Sequence, residues 1–195
     1  MSRTAEVRRT TKETAIALTL DLDGTGEARV ATPVGFLTHM LETVARQARF
    51  DLAVEASGDV HVDAHHTVED VGLALGEALD RALGERAGIA RFGHAYVPLD
   101  EALARSVVDL SGRPYLVFEA PSTPELQFVT TGFPFALVEE FWKSAAFRGK
   151  LNLHVDVIRG RNAHHAAEAV FKATALTLRQ EVALTETAVH SMRGT

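Results

Sequence analysis

The sequence contains no cysteine, one tryptophan and two tyrosines among its 195 residues. The lack of cysteine excludes disulfide bonds and thiolate metal sites, and it is compatible with a reducing cytoplasm. Long apolar runs are also absent, and the first residues, MSRTAEVRRTTKET, are polar and charged. We therefore expect neither a secretion signal nor a membrane-spanning segment. A cytoplasmic location is expected.

Basic residues are fewer than acidic ones, 20 against 26, which gives a formal net charge of -6 at neutral pH. This balance gives no electrostatic reason to expect nucleic acid or an anionic membrane as a partner. A local basic pocket could still bind a phosphate group. The composition, 46% hydrophobic and 24% charged, is that of a globular protein.

Four segments of the first half have clear periodicity. TAIALTLDLDGTG predicts a strand that enters a glycine-rich turn, and GFLTHMLETVARQARF predicts a helix with Phe36, Met40, Thr43 and Val44 on one face. LAVEASGDVHVDA predicts two short strands joined at residues 57–59. HHTVEDVGLALGEALDRALGER predicts a second helix that ends near Gly88.

The second half repeats this order of elements. ARSVVDLSGRPYLVFEA predicts strand, turn and strand; a helix follows in PFALVEEFWKSAAFRG, a strand in KLNLHVDVIRG and a helix in NAHHAAEAVFKATALTLRQ. No linker separates the halves. The chain is therefore predicted to be an internal duplication, with residues 1–90 and 91–195 as halves of one compact domain.

Two histidine pairs open the last helix of each half, 99 residues apart, in DAHHTVED and NAHHAAEA. Consecutive helical residues point about 100° apart, so neighbouring histidines suit two different ions. A glutamate three or four residues later shares a face with one of them. Each HHxxE pattern thus predicts half of two metal sites, with ligands that suit Mn, Fe, Co, Ni or Zn.

A further candidate ligand, His39, lies 26 residues before His65, and the matching helix of the second half offers Glu139 and Glu140. Glu140 lies 24 residues before His164. The other histidines have no partner pattern and are expected to be structural or solvated: His61, His94, His154 and His190.

Taken together, several motifs resemble one known family. They are TKET, FLTHML, DAHHTVED, RFGHAYVPLDEAL, DLSGRPY and HHAAEAVFKATALTLRQ. As a set they are similar to the imidazoleglycerol-phosphate dehydratases of histidine biosynthesis, over nearly the whole chain. The resemblance implies an α+β fold, with four helices packed between two four-stranded mixed sheets, as in domain 2 of ribosomal protein S5.

The resemblance also implies an assembly and a metal site. Trimers would form a homo-24-mer with active sites between subunits, each holding two Mn(II) ions. Glu140, in VEEFW, stands where the family has a histidine. The implied ligands are His39, His65, His66, Glu69, Glu140, His164, His165 and Glu168.

The implied reaction converts imidazole glycerol phosphate to imidazole acetol phosphate. The proton to be lost is on an unactivated carbon, so the ring must accept electrons, through a metal-stabilised imidazolate and a diazafulvene-like intermediate. Glu13 and Glu168 match the family's acid/base candidates, and Asp100 a family acidic position. The phosphate-binding positions match Arg91, Arg113, Lys172, Ser191 and Arg193.

Thr43 replaces a family glutamine, and the tail HSMRGT carries arginine where the family has lysine. Two other classes of protein also fit the histidine pairs. One is a dinuclear phosphate-ester hydrolase, which would use metal-bound water as its nucleophile. The other is a non-catalytic assembly protein whose ions only join subunits.

Overall fold

The computed structural model describes residues 3–185, and its first half forms one sheet with two helices. β2 and α1 begin where the sequence predicts them. The strands and helices of this half are β1 (Thr4–Thr10), β2 (Thr14–Asp21), β3 (Ala28–Ala31), α1 (Gly35–Ala48), β4 (Asp51–Gly58) and α2 (His65–Leu83).

The second half repeats the same plan with an added small hairpin and a 3-10 turn. Its elements are β5 (Phe92–Leu99), β6 (Ala102–Asp109), β7 (Tyr115–Glu119), the turn Pro124–Leu126, β8 (Phe128–Thr130), β9 (Phe133–Pro134), α3 (Ala136–Gly149), β10 (Asn152–Arg159) and α4 (Ala163–Glu181).

The two large sheets have the same topology. Their strand orders are β1-β2-β4-β3 and β5-β6-β10-β7. In both, the first three strands are antiparallel and the last pair is parallel. The predicted fold is confirmed: four helices and two four-stranded mixed sheets.

The helices form a layer between the sheets. α2 packs on β1 and β2, and α4 packs on β5 and β6, while α1 contacts α4 and α3 contacts α2. Leu20 and Val155 from the inner faces of the two sheets are fully buried, as are the ring side chains of Phe141, Trp142 and Phe171 between the helices. This apolar core fixes the relative positions of the four helices.

Two glycines bring α2 and α3 into close contact. A Cβ at Gly72 would lie 2.6 Å from the carbonyl oxygen of Phe141, and a Cβ at Gly76 would lie 2.4 Å from that of Ala145. From the first contact to the second, the residue number rises by four on both α2 and α3, so the two helices run parallel. Because α2 residues at i, i+4, i+7 and i+11 share one face, this contact places His65 and Glu69 beside α3.

Three sequence predictions differ from the structure. Residues 51–58 form one strand, and the second short strand predicted in LAVEASGDVHVDA is instead a turn and a loop. α2 ends at Leu83, before Gly84 with φ of 53°, rather than near Gly88. β1, β3 and β5 were not predicted. In β1 Val7 alone is fully buried, so its alternation is weak.

No helix within residues 3–185 has both the length and the apolar composition needed to cross a membrane. The division at residues 90 and 91 remains a prediction, although the two large sheets fall on either side of it.

Candidate metal centre

The first candidate metal cluster consists of His39 on α1 with His164 and Glu168 on α4. One ligand atom from each residue lies within 4.8 Å of the others. The Oε2 atom of Glu168 is 3.1 Å from Nε2 of His164 and 3.6 Å from Nε2 of His39. Phe36 packs edge-on against His164, with ring centroids 5.3 Å apart. Packing of α1 on α4 therefore assembles this cluster.

Lys172 also contacts the first cluster, with Nζ 2.7 Å from Oε1 of Glu168. Burial alone would raise the pKa of Glu168, but the hydrogen bond and charge of Lys172, together with smaller effects of His164 and His39, outweigh it, so the pKa lies below its usual value. Glu168 is thus a carboxylate at neutral pH, the form in which it can bind a cation or accept a proton.

The second candidate metal cluster consists of His65 and Glu69 on α2 with Glu140 on α3. Its ligand atoms also lie within 4.8 Å of one another, and Nε2 of His65 is 3.8 Å from Oε2 of Glu69. Lys143 lies 3.3 Å from Glu140. Each cluster therefore combines the two halves: α2 of the first half meets α3 of the second here, whereas α4 of the second half meets α1 of the first in the other cluster.

The residues of both clusters fit a divalent ion. Imidazole nitrogen and carboxylate oxygen are the donors that Mn, Fe, Co, Ni and Zn share. None of the six ligands is fully buried, and the side chains of His39 and His65 are the most exposed, so each cluster is accessible from solvent. Three donors within mutual reach leave further coordination positions for other ligands.

Side-chain caps hold both histidine pairs at the beginning of a helix. The Oδ1 atom of Asp63 accepts the backbone N–H of His65 at 2.8 Å. In the second half Asn162 accepts the backbone N–H groups of His164 and His165, at 2.9 and 3.3 Å. Such caps satisfy the unpaired N–H groups of a first helical turn.

The two rings of each pair point in different directions, as the helix geometry predicts. Interplanar angles are 88° for His65 and His66 and 87° for His164 and His165. His66 and His165 therefore do not join the cluster formed by their own helix. Both turn toward a carboxylate that the sequence did not single out.

For His66 the carboxylate is Asp59, whose oxygens lie 3.0 and 3.3 Å from Nδ1. The hydrogen bond to Asp59, helped by the charge of Glu13, raises the pKa of His66. Glu13 lies in the turn between β1 and β2, where its backbone N–H donates to Thr11 Oγ1 at 3.1 Å. This acid/base candidate is therefore near the first histidine pair.

For His165 the carboxylate is Glu101, with Oε2 2.8 Å from Nδ1. The hydrogen bond from His165, with those from the backbone N–H groups of Arg161 and Asn162, lowers the pKa of Glu101 to about 2. The same bond raises the pKa of His165. Asp100, the family acidic position, lies 3.9 Å from Nε2 of His165.

The predicted phosphate cations do not lie together in one chain. Arg91 forms a two-pronged ion pair with Asp109, at 2.7 and 3.2 Å, and stacks over Phe92. It lines a cavity of about 390 Å³ together with Ser111 and Gly112, next to the exposed Arg113. Lys172 instead lies in the first cluster. Ser191 and Arg193 are outside the described residues.

For three residues the sequence analysis and the structure give a different emphasis. Thr43, which replaces the family glutamine, is buried. Asp59 and Glu101 contact the histidine rings but gave no periodic signal. Asp59 follows the end of a strand, and Glu101 comes from a hairpin 64 residues before His165. Only the full fold brings Glu101 to its ring, whereas Asp59 reaches His66 from the loop just before α2.

The fold and the two clusters define a class: duplicated α+β proteins with two matching histidine–carboxylate clusters able to hold divalent ions. The family model of imidazoleglycerol-phosphate dehydratase matches residues 32–178. The chain belongs to the imidazoleglycerol-phosphate dehydratase family and is a hydro-lyase.

Known imidazoleglycerol-phosphate dehydratases are similar to this protein over most of the chain. An imidazoleglycerol-phosphate dehydratase of Lacticaseibacillus casei is 52% identical, covering 93% of this chain and 92% of that protein. One of Halorhodospira halophila is 54% identical, covering 95% and 93%. The crystal structure of the Staphylococcus aureus enzyme has a TM-score of 0.82 at 36% identity, covering 93% of this chain and 99% of that one.

Proposed function

We propose that this protein removes water from imidazole glycerol phosphate to form imidazole acetol phosphate, using two Mn(II) ions per active site. The observation that carries the proposal is the pair of matching clusters, His39–His164–Glu168 and His65–Glu69–Glu140, in a member of this family. Each cluster would hold one ion. Bound ions would acidify the imidazole ring and stabilise its anion, which gives the ring the capacity to accept electrons.

The active site is completed by other copies of the chain. Glu168 and Glu181 are 13 residues apart on α4, roughly 20 Å along the helix. Arg91 donates its backbone N–H to the carbonyl of Glu181 at 3.2 Å, so it belongs to the far end of α4. That separation exceeds the length of an imidazole ring with a three-carbon phosphate chain.

Assembly therefore supplies what one chain lacks. Arg91 and Arg113 bind the substrate phosphate at a cluster of a neighbouring copy, and His66 and His165 complete the ion coordination there. A homo-24-mer built from trimers meets this requirement. Nothing in the net charge of -6 calls for nucleic acid or a membrane as a further partner.

Two carboxylates of the chain move the protons. Glu168 is ionised, so it can accept the carbon-bound proton while it remains close to His164 and His39. Glu13, exposed in the β1–β2 turn, would donate a proton to the leaving hydroxyl. Lys172 offsets the charge of Glu168 and offers a cation to the phosphate.

The test is turnover of imidazole glycerol phosphate by purified protein, before chelation, after chelation and after refilling with Mn(II). We expect activity to disappear and then return, while Glu13→Gln stays inactive with metal bound. A particle that keeps its metal but converts no substrate would favour the assembly protein. Release of inorganic phosphate without dehydration would favour the hydrolase.

A further inference from the structure

Two carboxylates outside the clusters contact the histidines that face away from them. We propose that Asp59 and Glu101 are positioning residues, which keep the ring proton of His66 and His165 on Nδ1 and so leave Nε2 of each ring bare to bind an ion. This inference rests on the proposed function, because it concerns the ligands that one copy offers to another. Its test is separate from that of the function.

The first contact is built into the loop before α2. Asp59 begins this loop, and its carbonyl oxygen accepts the backbone N–H of Val62 at 2.8 Å, which closes a tight turn. Both carboxylate oxygens then lie within 3.3 Å of Nδ1 of His66. The Asp59 side chain is 17% exposed, so the surrounding chain restricts its movement.

The second contact is fixed more firmly. One oxygen of Glu101 accepts the backbone N–H groups of Arg161 and Asn162, at 3.1 and 2.8 Å. Its other oxygen is 2.8 Å from Nδ1 of His165. Since Asn162 also caps α4, Glu101 joins the β5–β6 turn to the beginning of the helix that carries the histidine pair.

The same ring atom is engaged in both halves although the two carboxylates come from different places in the fold. Asp59 lies in the β4–α2 loop, whereas Glu101 lies in the β5–β6 turn. Sequence duplication therefore does not account for the match. By contrast, His65 and His164 direct Nε2 toward the glutamate four residues later on their own helix.

The chemistry of imidazole explains what the carboxylates do. A neutral imidazole carries its proton on one nitrogen and offers the other as a ligand. A carboxylate can only accept, so it keeps the proton on the nitrogen that it faces and makes the opposite nitrogen a stronger donor to a metal. Asp59 and Glu101 thus keep Nε2 of His66 and His165 unprotonated, and free to bind an ion, in the metal-free protein.

The experiment uses Asp59→Asn and Glu101→Gln in the full chain. An amide has an N–H₂ group that can donate to Nδ1, which favours the ring form with its proton on Nε2 and blocks ligation. In Glu101→Gln the amide oxygen would still accept the backbone N–H groups of Arg161 and Asn162. We expect each variant to bind Mn(II) 10- to 100-fold more weakly by calorimetric titration.

Two controls remove the same charge without touching a ring. Asp63→Asn changes the cap of α2, where asparagine is equally suitable, and Glu119→Gln changes an exposed residue of β7. Nitrogen-15 NMR of metal-free protein reports which ring nitrogen carries the proton. We expect the proton to move to Nε2 in Asp59→Asn and Glu101→Gln, and to stay in the controls.

A double-variant cycle separates positioning from general damage. Once His165 is replaced by alanine, Glu101→Gln should weaken Mn(II) binding no further. An equal loss in that background, or Mn(II) affinities within about twofold of the parent in both single variants, would overturn the inference. Failure of the parent protein itself to bind Mn(II) would instead reject the proposed function.

Discussion

The ammonium group of Lys172 lies 2.7 Å from the carboxylate of Glu168, one turn away on α4. The family resemblance assigns Lys172 to the substrate phosphate, yet in the single chain it neutralises a residue of the first cluster. Both roles are compatible, because an ion bound to Glu168 would release the lysine toward an anion. This relationship gives the first prediction.

Lys172→Gln should weaken substrate binding without weakening metal binding. Loss of a charged hydrogen bond to phosphate costs about 1.5–3 kcal/mol, or roughly 10- to 100-fold in kcat/KM. Removing a positive charge beside Glu168 should leave Mn(II) affinity equal or tighter. Lys143→Gln is the matched control, since Lys143 contacts Glu140 of the second cluster. A normal KM in Lys172→Gln would contradict the phosphate role.

Glu140→His should change the metal preference of the second cluster. Carboxylate oxygen suits Mn(II), whereas imidazole suits Zn(II) and Ni(II) better. We expect the ratio of Zn(II) to Mn(II) affinity, measured by competitive titration, to rise at least several-fold. Glu139→His is the control, because Glu139 is exposed on the same helix and is not part of the cluster. Equal ratios in the two variants would remove Glu140 from the ligand set.

Gly76→Ala should both destabilise the fold and loosen the second cluster. Its Cβ would lie 2.4 Å from the carbonyl oxygen of Ala145, so α2 and α3 must separate. Overpacking of this kind costs about 1–3 kcal/mol, which urea unfolding would detect. Gly35→Ala at the beginning of α1, where a Cβ meets nothing within 4 Å, should cost little. Equal stability of both variants would refute the close contact.

Glu181→Gln should flatten the pH dependence of stability. The Glu181 side chain is fully buried, and its carboxylate has no hydrogen-bond partner among residues 3–185. Burial, helped by the charge of Asp109, raises its pKa well above the usual value. The folded protein therefore binds more protons than the unfolded chain between the two pKa values, and its stability falls as pH rises through that interval.

We accordingly expect the advantage of Glu181→Gln over the parent, in free energy of unfolding, to be greater at pH 8 than at pH 4. Chemical denaturation at both pH values measures this difference. Glu85→Gln, at an exposed position, should show no such trend. A constant difference between Glu181→Gln and the parent would mean that the carboxyl is ionised in the folded state.

The sequence predicted the helices and the central strands because their buried residues recur with a clear period. Helix geometry also predicted that neighbouring histidine rings point in different directions, which the nearly perpendicular rings confirm. That they serve two different ions stays a prediction. Three of the four edge strands, β1, β3 and β5, have no prediction from the sequence; in β1 only Val7 is completely buried, so its alternation is weak. Contacts such as Glu101 to His165 join distant segments, and no local pattern records them.

Close packing of α2 and α3 could not be predicted either. Gly72 and Gly76 carry no distinctive signal in the sequence, and their importance is visible only from the carbonyl oxygens opposite them. The pairing of Glu140 with His65 and Glu69 follows from that contact. Local sequence predicts candidate ligands, but helix packing determines which of them lie together.

The two clusters have matching positions in the duplicated fold but different formal charges. With neutral histidines, His39–His164–Glu168 carries one formal negative charge, whereas His65–Glu69–Glu140 carries two. Divalent ions entering the pair would therefore meet a stronger attraction at α2 and α3 than at α1 and α4. A symmetric scaffold would in this way load its ions in sequence, with one resident ion and one that exchanges more readily.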